Sequence, residues 1–117
     1  MIYHLTTPRA WELALSRGFY ESPSLAAEGF IHCSTKEQLL ESARLHFVGH
    51  DRLLVLRIAE KAVEKRLRWE PSRNGELFPH IYGSVPLDAV EDQHYLTRNE
   101  AGEWRVQSVQ SGAEGIP

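Results

Sequence analysis

Residues 52–59, Arg52-Leu53-Leu54-Val55-Leu56-Arg57-Ile58-Ala59, are apolar on both faces of a strand. A strand of that kind is stable only when covered on both sides, so it predicts a central strand with packed layers above and below it. The chain has 117 residues, enough for one domain with a real core and no disulfide or metal staples. Its remaining segments must supply the neighbouring strands and the covering helices.

Residues 1–6 alternate and read as a strand. Thr7-Pro8 then pairs an N-cap with proline at the first helical position, which predicts a helix over 8–17. That helix carries Trp11, Ala14 and Leu15 on one face and stops at Gly18. Residues 19–28 are a connection in which Pro23 opens a short helical turn, and 29–34 form a second strand. Ser34-Thr35-Lys36-Glu37 matches a capping box and predicts a helix over 35–48 that buries Leu39, Leu40, Ala43 and Phe47. After the central strand come a short helix over 60–66, a brief strand at 68–70, a turn at 71–75 and a strand at 79–82. Residues 90–97 alternate weakly and carry Glu91, Asp92, Gln93 and His94, the pattern of an exposed edge. Residues 103–107 pair back on them as a hairpin strand. The pattern predicts one soluble domain of strands and helices over 1–107, and a disordered tail over 108–117.

Charge and composition exclude several function classes. The net charge of −3 gives no basic field for nucleic acid. The cluster Lys61, Lys65, Arg66 and Arg68 is interleaved with Glu60, Glu64 and Glu70, as on a solvated face. The single cysteine, Cys33, rules out an intrachain disulfide and a cysteine-rich zinc site. No apolar run approaches the roughly 18 residues of a membrane span. The first residues lack a basic and an apolar signal region, so no secretory leader is expected and the cytoplasm is the expected compartment.

Chemistry concentrates in two places. Alternation sets Ile2, His4 and Thr6 on one strand face, and Phe30, His32 and Ser34 on another. Each strand thus presents a histidine followed two residues later by a hydroxyl. Imidazole titrates near neutrality and can donate or accept, and a neighbouring hydroxyl can hold a ribose or phosphate oxygen. Gly75-Glu76-Leu77-Phe78-Pro79-His80-Ile81-Tyr82-Gly83 brings a carboxylate, an imidazole and a phenol together, with His80 and Tyr82 on one face. His32, Glu76 and His80 are the candidate catalytic residues, and His4, Thr6, Ser34 and Tyr82 the candidate ligand-binding ones. The imidazoles of His4 and His32 are expected to line one cavity. Three histidines with an open position suit catalytic zinc. Only His46 and His50 have helical spacing, however, and they straddle Gly49, so no metal is expected.

Tyr3-His4-Leu5-Thr6, Glu28-Gly29-Phe30-Ile31-His32-Cys33-Ser34, Trp69-Glu70 and Gly75 to Gly83 together resemble the bacterial family named domain of unknown function 952, over about residues 1–97. That family is grouped with the ADP-ribosyltransferase superfamily. The resemblance implies an α+β fold with a bent or split, mainly antiparallel sheet and flanking helices, and a cleft that takes NAD. In the superfamily a first-strand histidine followed by Thr or Ser holds the NAD ribose, which His4 and Thr6 match. A second strand carries Gly, Tyr and Ser; Gly29 and Ser34 are similar, while His32 stands where the tyrosine would be. A late glutamate aligns the ribose, and Glu76 is the nearest candidate. The expected ligand is NAD or a related ribose-phosphate compound, with Arg57 or Arg9 helping at the phosphates. Two other classes share the pattern. One is a two-histidine phosphoesterase acting on cyclic phosphates, although no duplicated half is visible. The other is a nucleotide-binding module without turnover.

Overall fold

The computed structural model describes residues 1–108. The run from 52 forms β4 (Arg52–Ile58), flanked by β1 (Ile2–Thr6) and β8 (Val90–Arg98), with β9 (Trp104–Ser108) outside β8. All of these pairings are antiparallel. Alternation along β4 divides the core in two. Leu54, Leu56 and Ile58 pack with Ile2, with Trp11 and Ala14 of α1 (Pro8–Arg17), and with Val85 and Ala89. Leu53 and Val55 pack on the other side with Leu5, Leu96 and Trp104, and with Leu39 and Ala43 of α3 (Leu39–His46). Leu53 to Leu56 are each at most 4% exposed, as a strand covered on both faces requires.

A second, three-stranded sheet has the order β3-β6-β5, with β5 at Leu67–Pro71, β6 at Leu77–Ile81 and β3 only Ile31–His32. It meets the first sheet at one antiparallel bridge, where Tyr3 N–H donates to Ser34 O at 2.9 Å and Ser34 N–H to Tyr3 O at 2.7 Å. The result is a small α+β domain with antiparallel sheets that share a buried core through Ile2, Leu54, Leu56, Ile31 and Ile81. A two-residue pair, β2 (Phe19–Tyr20) with β7 (Val85–Pro86), lies beside α1. Two further short helices are α2 (Pro23–Glu28) and α4 (Glu60–Val63). No helix among the described residues is long and apolar enough to cross a membrane.

Helix α1 has the predicted limits. Thr7 Oγ1 accepts from Ala10 N–H at 3.1 Å, and Gly18 closes the helix in the left-handed region at φ 92°. Leu15, expected on its buried face with Trp11 and Ala14, is 55% exposed. Five other expectations are corrected. The capping box lies one residue later than Ser34–Glu37: Thr35 Oγ1 accepts from Gln38 N–H, and Gln38 Oε1 accepts from Thr35 N–H. That box closes a turn, and α3 starts only at Leu39 and ends at His46, leaving Leu40 on its solvent side. The strand expected over 29–34 shrinks to two residues, because Gly29 ends α2 at φ 94°. Residues 94–97 are no edge, since β9 pairs with 94–98 and Leu96 is fully buried, whereas residues 90–93 have only β4 as a strand partner among the described residues. Ser108 belongs to β9, and the rest of the segment expected as a tail lies outside the described residues.

Candidate functional site

Polar side chains collect where the two sheets meet. Ile2, His4 and Thr6 share a face with Leu54 and Leu56, their alternate partners across β1 and β4. Ile2 enters the core, but His4 and Thr6 meet Tyr20 and the backbone of β3 instead. Buried His4 has Nδ1 at 2.6 Å from the carbonyl oxygen of His32 and Nε2 at 2.7 Å from the Tyr20 hydroxyl. A carbonyl can only accept, so Nδ1 carries the proton and Nε2 takes the proton of Tyr20 in hydrogen bond. The Tyr20 oxygen also lies 2.9 Å from Thr6 Oγ1. With its one proton engaged by His4, the phenol accepts there from Thr6. Burial pushes the His4 imidazole down to about 4 and the Tyr20 phenol up to about 12. Both are neutral at pH 7, and both nitrogens of His4 are used within the protein.

A second group spans β3 and β6, which set His32 directly opposite His80 with ring centroids 5.4 Å apart, edge to face. Phe30 packs on His32 and stacks on His80 at 4.2 Å. Each histidine has its own carboxylate. Glu28 Oε1 is 3.1 Å from Nε2 of His32, whose side chain is 49% exposed. Glu70 Oε1 is 2.6 Å from Nδ1 of buried His80 and also accepts from the Tyr82 hydroxyl at 2.6 Å. The Tyr82 hydroxyl first, and His80 second, hold the Glu70 carboxyl below its usual range, and Glu70 raises Tyr82 in return. Because the Glu70 carboxylate can only accept, Nδ1 of His80 carries a proton toward it. Nε2 of the same ring is buried and has no hydrogen-bond partner among the described residues.

Both groups line one cavity of about 570 Å³. Of the residues singled out from the sequence, His4, Thr6, His32, Ser34 and His80 line it, and Glu76 and Tyr82 do not. Glu76 lies just before β6 and accepts from Gln38 Nε2 at 3.3 Å, beside the start of α3. Tyr82 meets the group through its hydrogen bond to Glu70 and through the Phe30 ring, with centroids 5.3 Å apart. Ser34 is no helix cap: its buried hydroxyl lies 3.3 Å from that of Ser42 on α3. Cys33 is buried in the core cluster of the sheet, and burial pushes its thiol up, which leaves it inert. Arg57 and Arg9 are absent from the cavity lining, and Arg73 is present.

Sequence reasoning missed Tyr20, Glu70 and Arg73. Tyr20 sits on a two-residue strand that no periodicity can reveal. Glu70 carried a usable signal: in a strand paired with the one holding His80 and Tyr82, a carboxylate can reach both.

Among known proteins, a family model described as a protein of unknown function, DUF952, matches residues 5–93. The crystal structure of protein CC0527 from Caulobacter crescentus is similar, with a TM-score of 0.82 and 32% identity over 89% of this chain and 92% of that one. The solution structure of CC0527 aligns with a TM-score of 0.74 and 30% identity, covering 99% of this chain and 97% of that one. None of the curated proteins matches.

Proposed function

Since this chain belongs to the DUF952 family, whose description leaves the chemistry open, we propose a function from the cavity itself: it binds a ribose-phosphate compound of the NAD type, as in an ADP-ribosyltransferase-like fold. The observation that carries this reading is His80 Nε2, a buried ring nitrogen that Glu70 orients and no group among the described residues satisfies. A buried polar atom of that kind calls for an explanation, and a ligand hydroxyl hydrogen-bonded to it is the one the surroundings favour. Hydroxyls and imidazoles surround it, and the volume lies in the roughly 300–1,000 Å³ range of small-molecule sites. The roles differ from those read in the sequence. His80 receives a ribose hydroxyl, and Glu70 takes the place first given to Glu76, acting through His80. His4, Thr6 and Tyr20 form a neutral wall that shapes the pocket. His32 and its partner Glu28 supply a second, solvent-accessible imidazole.

A two-histidine phosphoesterase needs both histidines of its repeated motif free to exchange protons. His4 has neither nitrogen free, so the cyclic-phosphate reading loses its first histidine.

A thermal-shift panel of NAD, ADP-ribose, a 2′,3′-cyclic mononucleotide and simple mononucleotides tests the reading, since a ligand that binds the folded state raises its stability by mass action. NAD or ADP-ribose should raise the midpoint in the wild type. The rise should fall at least tenfold in apparent affinity in His80→Phe, which keeps the stacking on Phe30 and removes that nitrogen. No shift with any compound at millimolar concentration, or equal shifts in His80→Phe, overturns it.

A further inference from the structure

We infer that Arg73, Ser42 and Ser34 form an anion subsite in this cavity that takes the phosphate groups of the ligand, an assignment that rests on the reading above for the identity of the ligand. The loop between β5 and β6 holds the arginine. Ser72 N–H donates to Glu76 O at 2.8 Å, Gly75 N–H donates to Ser72 O at 2.9 Å, and Asn74 takes the left-handed region at φ 58°. That tight turn carries Arg73 to the cavity, where its guanidinium lies 4.9 Å from the centre of the Phe78 ring and 3.4 Å from Ser42 Oγ. Ser42 Oγ in turn lies 3.3 Å from Ser34 Oγ. Both serines are buried, at 8% and 5% exposure.

Three observations set this group apart from a surface arginine. Among the described residues, Arg73 is the only arginine or lysine lining the cavity. It has no carboxylate within ion-pair distance among the described residues, whereas Arg44, Arg98 and Arg105 each have one. Glu41, the carboxylate that feels Arg73, is already held by two hydrogen bonds from Arg44. The guanidinium presents a planar fork of donors, most of them unspent, beside two buried hydroxyls that share one hydrogen bond and leave one proton between them free to donate. Forked, charge-assisted donation of that kind suits phosphate oxygens. A single site then joins a partner for a ribose hydroxyl at His80 with donors for phosphate at Arg73. That pairing is what a nucleoside diphosphate requires and what an uncharged nucleoside cannot use.

Inorganic pyrophosphate and ADP-ribose, titrated calorimetrically into the wild type, Arg73→Gln, Arg73→Lys and Ser42→Ala, provide the test. The wild type should bind pyrophosphate, and Arg73→Gln should weaken it at least tenfold. Arg73→Lys, which keeps the charge and loses the fork, should fall between them, and Ser42→Ala should be weaker than wild type by about threefold. Pyrophosphate binding that is absent in the wild type, or equal in Arg73→Gln, overturns the subsite whatever ADP-ribose does. Pyrophosphate binding lost in Arg73→Gln but not displaced by ADP-ribose keeps the subsite and overturns the NAD-type reading. Should Arg73→Gln fail to fold by circular dichroism, the Arg73→Lys and Ser42→Ala comparisons decide in its place.

Discussion

His4, His32 and His80 look equivalent in the sequence and have three different jobs in the structure. Truncation should spare the fold only where the side chain is open to solvent, and of the three that describes His32, which is half exposed. His32→Ala should move the unfolding free energy by no more than about 0.5 kcal/mol. His4→Ala strands a carbonyl and a buried phenol and should cost about 2–4 kcal/mol, read from urea unfolding. Tyr20→Phe, which leaves His4 Nε2 without its donor, should cost about 1–3 kcal/mol. His4 also ties stability to pH. Its pKa is lowered from 6.5 to about 4, so the unfolded chain binds the proton more tightly than the folded one. The contribution is complete above about pH 6.5 and is lost as pH falls toward 4. It amounts to roughly 3 kcal/mol at most, from about 1.4 kcal/mol per unit. Urea midpoints measured from pH 7.5 to 4 should fall more steeply in the wild type than in His4→Gln; parallel curves would refute the assignment.

At the scale of elements, long periodic segments were legible and short ones were not. Helix α1 announces itself at both ends, through Thr7-Pro8 and Gly18, and β4 through its unbroken apolar run. The first turn before α3 was misread because two hydroxyls compete for one role. Ser34 and Thr35 both stand where a cap could be, and the pairing of Ser34 with Tyr3 commits it to the sheet. Thr35→Ala should therefore lower stability by about 1 kcal/mol through the lost cap. Ser34→Ala should leave the helical signal in circular dichroism unchanged. The residues of the site follow the same division. His4 and Thr6 lie on a strand long enough for alternation to show their face. Tyr20 and Arg73 reach the cavity from a two-residue strand and a tight loop, and Glu70 holds His80 from the neighbouring strand; none of these placements has a period of its own. Polar side chains give 90–97 the look of an edge, yet β9 pairs with the stretch from His94 on and Leu96 is buried, while exposed Glu91 lies outside that pairing.

At the scale of the whole molecule, the four-stranded and three-stranded sheets touch through the two backbone hydrogen bonds of Tyr3 and Ser34, and the cavity lies beside that contact. The His4 side chain, bonded to the carbonyl of His32, adds one more tie across the same line. So few backbone ties make the contact a seam alongside the apolar core that the two sheets share through Ile2, Leu54, Leu56, Ile31 and Ile81. Local opening along that line is expected to cost less than opening either sheet at its centre. The amide protons of Tyr3 and Ser34 then act as built-in reporters. Without ligand they should exchange with solvent faster than those of Leu54 and Leu56 at the centre of the larger sheet. A compound that bridges His80 and Arg73 restrains the seam from within the cavity and should slow both together. Followed residue by residue in deuterium oxide, exchange at those two positions would register occupancy of the pocket even when the compound itself gives no signal.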